Sequence, residues 1–331
     1  MRAFRPGDAG YMELDSFRRG PGDVIPSARA RAAGVAAPLL TARDAGELVA
    51  VRRGVYLPSA SFEEMSAVQR HRALAFAVAH QRPQVVFAGF TAAVLLGMPV
   101  VGGVPDHVVV LAAGASGRRR NGVVEIVRRS SAHALTSDGV TTTSPLETLL
   151  EVARTRPLLT ALTMVDAALY CPRFGGGAAL CTIEELRKAF AAMTPFPGSL
   201  RVAAVLDRAT HLAETPLETL SRVRIEELGF PTPELQRSVM RPRSGSLAFL
   251  DFAWPEHGVW GEADGDGKYL GSSTRDGDRR PAAEIVRDEK ARENEVRAAT
   301  KWACARWDWL EAWKSGPLRD ILLEAGLPRL R

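Results

Sequence analysis

Two short apolar strands that carry carboxylates constrain this chain more than any other feature of its sequence. They are SLAFLDFAW (246–254) and GVWGEAD (258–264), and the turn PEHG joins them. A hairpin that is symmetric about this turn places Asp251 opposite Glu262. Directly opposed side chains have Cβ atoms about 5 Å apart, and like charges at that distance repel. A hairpin of this sequence therefore needs a group that offsets its negative charge.

A divalent metal ion is one such group. Asp264 follows Glu262 by two residues and therefore lies on the same face of its strand, so three carboxylates would converge. Hard oxygen ligands suit Mg²⁺ or Mn²⁺, with water and a phosphate oxygen in the remaining positions. We predict that Asp251, Glu262 and Asp264 bind the metal. Two alternatives stay open, since the strands could pair in another register, or one acid could pair with Lys268 or Lys290.

The elements on either side of the hairpin carry further candidate residues. The helix ETPLETLSRVRIEELGF leaves Glu218 beside an apolar stripe. A polar loop with Lys268 follows the hairpin, and then come the helix AAEIVRDEKARENEVRAATKW and the strand ACARWDW. Lys290 and Arg292 of this helix could face a scissile phosphate, or they could pair with neighbouring acids on a solvated face. We assign residues 213–331 to one domain.

Residues 25–60 have the layout of a winged helix-turn-helix. A short Ala/Arg helix is followed by a second helix with Pro38 in its first turn, and ELVAV and VYL alternate as strands around RRG. The second helix, which carries Arg43, would enter a major groove, while Arg52 and Arg53 on the wing reach phosphates or the minor groove. The alternative is a small helical hairpin with a solvated arginine turn.

Residues 61–212 are predicted to form a mixed α/β middle domain, and residues 1–24 a flexible arm. Periodicity predicts helices at 62–81, 89–97, 145–170, 182–192 and 199–212. Strands at 107–112 and 123–128 flank the turn GASGRRRNG. This turn carries a second candidate DNA-binding patch, formed by Arg118, Arg119 and Arg120. A solvated hairpin tip explains the same residues.

Composition excludes several classes of protein. Hydrophobic residues make up 46% of the 331 residues and charged residues 24%, which is typical of a folded globular chain. Three cysteines without C-x-x-C spacing indicate neither a disulfide framework nor a zinc site, so we expect a cytoplasmic protein. Glycine and proline interrupt the longest charge-free stretch, so no membrane partner is expected. The net charge of +5 combines +7 over residues 1–212 with −2 over residues 213–331, so the basic excess lies in the first part of the chain.

The predicted elements of residues 213–331 follow the order of the PD-(D/E)xK nuclease-like fold, which is a helix, a hairpin with the motif D…E-x-D, a basic helix and a strand. The stretch FLDFAWPEHGVWGEADGDGKY resembles the very-short-patch-repair-endonuclease-like members of that fold, over about residues 214–315. The resemblance implies that Glu218 is the acid of the first helix, Asp251 the metal-binding aspartate and Glu262 the acid of the (D/E)xK element.

The sequence departs from this pattern at one position. Asp264 stands where the (D/E)xK element usually has its lysine. The resemblance therefore implies catalysis only if Lys268 or Lys290 supplies the missing cation. The candidate catalytic residues are Glu218, Asp251, Glu262, Asp264, Lys268 and Lys290.

The first 212 residues resemble a different family. RRGVYLP after the helix-turn-helix and the later TTTSPLETLLEVAR are similar to the AbiEi-type antitoxin family. This resemblance implies a winged helix that represses its own promoter, and a nucleotidyltransferase-type toxin as partner.

Together these patterns predict an α+β or α/β multidomain protein with an N-terminal winged helix-turn-helix, a mixed middle domain and a C-terminal restriction-endonuclease-like α/β domain. We expect a DNA-binding protein with a Mg²⁺-dependent endonuclease domain. The alternative is an antitoxin-type repressor whose nuclease-like domain is catalytically inert. A third hypothesis is a toxin-binding protein for which DNA plays no part. A hydrolase of small metabolites is disfavoured, because no Ser/His/Asp ordering is present.

Overall fold

The computed structural model describes residues 21–127, 133–135, 138–173, 176–265 and 282–330. Most of the predicted N-terminal arm and the candidate residue Lys268 lie outside the described residues. The chain separates into two compact units. Unit 1 is Met1–Arg156 with Lys188–Val202, and unit 2 is Pro157–Arg187 with Ala203–Arg331. Helices and several sheets are mixed throughout, which agrees with a multidomain α+β fold.

Unit 1 begins with a small helical and stranded region. Its elements are β1 (Ile25–Pro26), α1 (Ser27–Ala32), α2 (Ala36–Asp44), β2 (Leu48–Arg52) and β3 (Val55–Pro58). The strands form an antiparallel sheet in the order β1-β3-β2. Ala30, Leu39 and Leu48 are buried together between the helices and the sheet. The predicted succession of two short helices and two strands about a tight turn is confirmed.

The rest of unit 1 is built on a six-stranded sheet. Its elements are α3 (Ser59–Glu64), α4 (Ala67–Gln81), β4 (Val86–Phe87), α5 (Gly89–Leu95), β5 (Val108–Leu111), β6 (Arg119–Arg120), β7 (Val123–Ile126), β8 (His133–Leu135), β9 (Thr141–Thr143) and α6 (Pro145–Thr155). The strand order is β6-β7-β5-β4-β9-β8. The prediction that the strands on either side of the turn GASGRRRNG form a hairpin is wrong. Strand β5 pairs with β7 in parallel, and the antiparallel partner of β7 is the short strand β6.

Two predicted helices are each divided in the structure. The stretch 62–81 becomes α3 and α4, because Ser66 caps a new helix: its hydroxyl accepts the Gln69 backbone N–H at 3.3 Å, and its own N–H donates to the Gln69 side chain at 2.7 Å. The stretch 145–170 is divided at Pro157, because Arg156 before it is extended.

Unit 2 contains a four-stranded sheet with helices around it. Its elements include α7 (Leu158–Leu169), α10 (Pro216–Glu227), β10 (Glu234–Met240), β11 (Leu247–Trp254), β12 (Val259–Ala263), α11 (Ala282–Thr300), β13 (Ala303–Trp307), α12 (Trp309–Lys314) and α13 (Gly316–Glu324). The division between the units falls within α8 (Ile183–Met193) and α9 (Ser199–Arg208). Strands β10, β11 and β12 are antiparallel neighbours, and β13 pairs with β12 in parallel after the chain passes through α11.

The β11–β12 hairpin has the predicted register. The paired residues are Trp254 with Val259, Ala253 with Trp260, and Phe252 with Gly261. Phe252 and Trp307 belong to one core cluster of unit 2, and Leu250 belongs to another with Val296 of α11. The sheet therefore buries apolar side chains on both faces. No described helix is long and apolar enough to cross a membrane.

Candidate functional site

Three of the predicted acidic residues, Glu218, Asp251 and Glu262, form a carboxylate cluster in unit 2, in which both glutamates are buried and Asp251 is half-buried. They lie in the first turn of α10, in β11 and in β12, respectively. Glu218 is 5% exposed and Glu262 is 6% exposed. The register of the sheet aligns Asp251 with Glu262, and Asp251 is close enough to Glu218 and to Glu262 for its charge to raise the pKa of both.

The sheet is irregular at Asp251. The ladder pairs of β11 with β12 stop at Phe252, and the Ala263 backbone N–H instead donates to Asp251 Oδ2 at 3.0 Å. On the other side, the pairs with β10 skip Gln236, whose φ is 52°. Gln236, Asp251 and Glu262 therefore follow one another across β10, β11 and β12 with no ladder pair between them, whereas Glu262 pairs with Arg306 of β13 on its other side. This leaves the Asp251 side chain to bond with the backbone of its neighbour.

Burial dominates the electrostatics of the cluster. It raises the pKa of Glu218 and of Glu262, and the charge of Asp251 raises both further. Burial also raises the pKa of Asp251, although the hydrogen bond from Ala263 opposes this effect. The cluster therefore holds its negative charge at a cost, and a nearby cation would stabilise it.

The cation within the described part of this cluster is Arg292 of α11. Its Nη2 donates to Glu262 Oε1 at 2.9 Å and to the Phe249 carbonyl at 2.9 Å. Its Nη1 donates to Glu289 Oε1 at 2.9 Å. The sequence placed Lys290 and Arg292 together as candidates, but Lys290 is exposed. Residues 292 and 296 are four apart and lie on one side of α11, and the burial of Val296 turns that side towards the sheet.

The remaining predicted ligand has a different partner. Asp264 Oδ2 lies 3.1 Å from Arg306 Nη1, and the Asp264 side chain is 51% exposed. Burial raises the pKa of Asp264, and Arg306 opposes that effect. Across the described residues, no group of three or more His, Cys, Asp or Glu side chains is placed to hold a metal ion. The expected convergence of three carboxylates on one ion is thus not formed.

The carboxylates of the cluster still fit Mg²⁺ if protein side chains supply fewer of its ligands than the three that the sequence predicts. Mg²⁺ keeps several waters and is commonly held by one or two carboxylates together with substrate phosphates. Asp251 and Glu262 are neighbouring carboxylates of that kind, and burial without full compensation favours a cation beside them.

The predicted DNA-binding arginines of the wing have unequal surroundings. Arg52 Nε donates to the Gln81 side chain at 2.5 Å, and its Nη1 donates to the Asn121 carbonyl in the β6–β7 turn at 2.7 Å. Burial lowers the pKa of Arg52, and Arg82 lowers it further. Arg52 therefore holds the end of β2 against the β6–β7 turn. Arg53 beside it makes no hydrogen bond or ion pair through its side chain to any residue the structure describes.

The arginines of the second basic patch are partly neutralised. Arg118 pairs with Glu125 at 2.9 Å, and Arg119 approaches Asp106 at 3.4 Å. Arg120 is exposed and has no ion pair with the described residues. Because Arg52 bonds to the turn that follows Arg120, the two basic patches that the sequence separates are adjacent.

The second helix of the N-terminal region, α2, carries the remaining residue that the sequence predicts to contact DNA. Arg43 forms two hydrogen bonds with its neighbour Asp44, from Nε at 2.8 Å and from Nη2 at 2.6 Å. These bonds raise the pKa of Arg43. The pair is exposed, so Asp44 offsets much of the positive charge that Arg43 would offer to a phosphate.

Comparison with known proteins gives relatives without a stated activity. No family model matches the chain. Over 166 residues the chain is 31% identical to the uncharacterized protein MT2308 of Mycobacterium tuberculosis strain CDC 1551 / Oshkosh, and equally to the uncharacterized protein Rv2248 of strain H37Rv. The matched region is 50% of this chain and 57% of each relative. The chain thus spans just over half the length of the curated relatives it matches.

Proposed function

We propose that this protein binds DNA through unit 1 and hydrolyses DNA phosphodiesters in unit 2 with the aid of Mg²⁺ or Mn²⁺. The observation that carries the proposal is the carboxylate cluster of Glu218, Asp251 and Glu262. Acidic groups buried at this cost are a mark of functional sites rather than of stable packing. The element order of helix, three antiparallel strands, helix and parallel strand supports the same function.

The side chains of the cluster have separate roles in this proposal. Asp251 and Glu262 would hold the ion, which supplies an activated water and neutralises charge that develops on the phosphate. The Ala263 N–H fixes the orientation of Asp251, and Arg292 fixes that of Glu262. Arg292 also places a permanent positive charge where a lysine of the (D/E)xK element would be expected to act.

Glu218 is oriented from several sides. Its Oε1 accepts the Thr215 hydroxyl at 2.9 Å, and its Oε2 accepts the Glu214 backbone N–H at 3.0 Å and the Gln236 side chain at 3.2 Å. A carboxylate held in this way at the edge of the cluster can accept a proton from a water molecule or orient it.

The test is a cleavage assay with Glu262→Gln and Glu256→Gln. Glu256 lies in the turn of the same hairpin and is exposed, so its variant controls for the loss of one carboxylate. We expect Mg²⁺-dependent cleavage of supercoiled, linear, mismatched or single-stranded DNA by the wild type, and a rate lower by about two orders of magnitude in Glu262→Gln only. Undiminished cleavage by Glu262→Gln would contradict the proposal. Melting temperatures of both variants establish that they are folded.

A second candidate function is favoured by the contact between Arg292 and Glu262. A guanidinium at 2.9 Å gives the Glu262 carboxylate a positive partner without a metal ion. Unit 2 would then be an inert recognition module in an antitoxin-type repressor, with a nucleotidyltransferase-type toxin as partner. This function predicts DNA binding that is indifferent to EDTA, with no cleavage by the wild type under any of the assay conditions.

A further inference from the structure

An arginine from outside the hairpin region reaches the carboxylate cluster through a glutamine. Arg173 follows α7, in a segment rich in glycine and proline. Its Nη2 donates to Gln236 Oε1 at 3.1 Å. The other end of the Gln236 amide donates to Glu218 Oε2 at 3.2 Å. A continuous chain of hydrogen bonds therefore links the Arg173 guanidinium to the cluster.

Gln236 maintains this chain at a conformational cost. Its φ of 52° lies in the left-handed region, which costs a residue with a Cβ about 1 kcal/mol or more. A glycine would adopt that φ freely, but it could make neither side-chain hydrogen bond. Gln236 is also 9% exposed, so its amide is committed to these two partners. Its position opposite Asp251 in the sheet brings Arg173 to the side of the cluster where the backbone pairing is interrupted.

Arg173 is held in place while most of its donors remain available. Its guanidinium carbon lies 3.7 Å from the centre of the Phe249 ring, and Phe249 precedes Asp251 by two residues on β11. Arg173 is exposed, and its only side-chain hydrogen bond to a described residue is the one to Gln236. Stacking on Phe249 and the hydrogen bond to Gln236 thus fix the plane of this guanidinium, and its other N–H groups make no hydrogen bond to a described residue.

We propose that Arg173 is an anion-binding residue beside the carboxylate cluster, positioned by Gln236 and Phe249, and that its ligand is a phosphate group of a DNA strand. This inference rests on the proposed function. A phosphate that approaches three carboxylates meets a negative potential, and Arg173 offsets it. A planar guanidinium donates two parallel hydrogen bonds to a phosphate, which a point charge does not.

The experiment measures the dissociation constant of a fluorescein-labelled DNA duplex at several sodium chloride concentrations. Each phosphate contact contributes about one to the slope of log Kd against log salt concentration. We expect Arg173→Gln to weaken binding about tenfold and to lower the slope by about one, whereas Arg173→Lys keeps the slope. Arg187→Gln, which removes an exposed arginine of the same unit, is the matched control and should leave the slope unchanged. An unchanged slope in Arg173→Gln would overturn the proposal.

The role of Gln236 is tested by a double-mutant cycle. Gln236→Leu removes both hydrogen bonds and keeps a side chain of similar size. If Gln236 acts through Arg173, the double variant binds DNA no more weakly than Arg173→Gln alone. Additive effects would contradict a positioning role. Melting temperatures show whether any variant loses affinity by unfolding.

Two further measurements separate this inference from the proposed function and from a free-phosphate site. The first is a cleavage assay on the same samples. If Arg173→Gln lowers the salt slope but the wild type does not cleave DNA, the inference is supported and hydrolysis is contradicted. If the wild type cleaves DNA but Arg173→Gln leaves the slope unchanged, only the inference is contradicted. Inorganic phosphate is added at matched ionic strength. If it raises the melting temperature of the wild type but not of Arg173→Gln, and the DNA slope does not change, the ligand is free phosphate and the DNA assignment is wrong.

Discussion

At the scale of single residues, His71 is an imidazole whose burial favours its neutral form. Its two ring nitrogens lie 3.2 Å from the Pro105 carbonyl and 3.0 Å from the Thr91 hydroxyl. Thr91 Oγ1 in turn accepts the Val109 N–H at 2.9 Å. Burial lowers the pKa of His71 from 6.5 to about 4.

The lowered pKa of His71 leads us to expect that the stability of the protein depends on pH. The folded-state pKa lies below the unfolded-state value, so this residue binds more protons in the unfolded state between pH 6.5 and 4, and the contribution of His71 to the free energy of unfolding falls as the pH falls through that range. The share from His71 amounts to about 3 kcal/mol at the acid end. Urea unfolding at several pH values should show a flatter dependence in His71→Gln. The exposed His211→Gln serves as control, and an unaltered pH dependence in His71→Gln would contradict the assignment.

At the scale of secondary-structure elements, strand β12 is packed too closely for any side chain at Gly261. A Cβ there would lie 2.5 Å from a ring atom of Trp307 and 3.3 Å from the Phe252 Cβ. Trp307 is 1% exposed, and its Nε1 donates to the Ser221 hydroxyl at 2.7 Å, so the ring is held in place. The backbone next to Glu262 therefore depends on a glycine.

We expect Gly261→Ala to lower the free energy of unfolding by about 1–3 kcal/mol, because the added methyl overpacks a buried site. The matched control is Gly316→Ala at the start of α13, where an added Cβ meets no atom within 4 Å. Urea unfolding followed by tryptophan fluorescence measures both variants. Equal stability of Gly261→Ala and the wild type would contradict the packing described for this strand.

At the scale of the whole molecule, the arginines of the two predicted basic patches and the buried acids of the cluster lie in different units. Arg53 and Arg120 lie in unit 1 without ion pairs to described residues, whereas Glu262 lies in unit 2. We expect Arg53→Ala with Arg120→Ala to reduce the salt slope of DNA binding by about two. Glu262→Gln should leave that slope unchanged. Fluorescence anisotropy with one duplex tests both, and a slope insensitive to the arginine pair would contradict DNA binding by the wing and the β6–β7 turn.

The sequence by itself determined the features that depend on neighbours along the chain. The turn PEHG and the alternation on either side of it set the hairpin register, so the pairing of Trp254 with Val259 could be predicted. The two helices and two strands of residues 25–58 followed from proline, glycine and alternating apolar residues, which act over a few residues. Glu218, Asp251 and Glu262 could be identified because charges within apolar stripes conflict with local patterning.

Only the tertiary structure decided which distant groups meet. Arg292, and not Lys290, contacts the carboxylate cluster because of the side of α11 that faces the sheet. That orientation depends on the packing of Val296 against another element. The parallel pairing of β5 with β7 joins segments whose local pattern fits a hairpin equally well. Arg173 carries no local signal, because its partner Gln236 is 63 residues away in the sequence and adopts a φ that no propensity favours. The local sequence therefore specified the helices, the hairpin and the three acidic residues of the cluster. Long-range packing specified which arginines lie beside those acids.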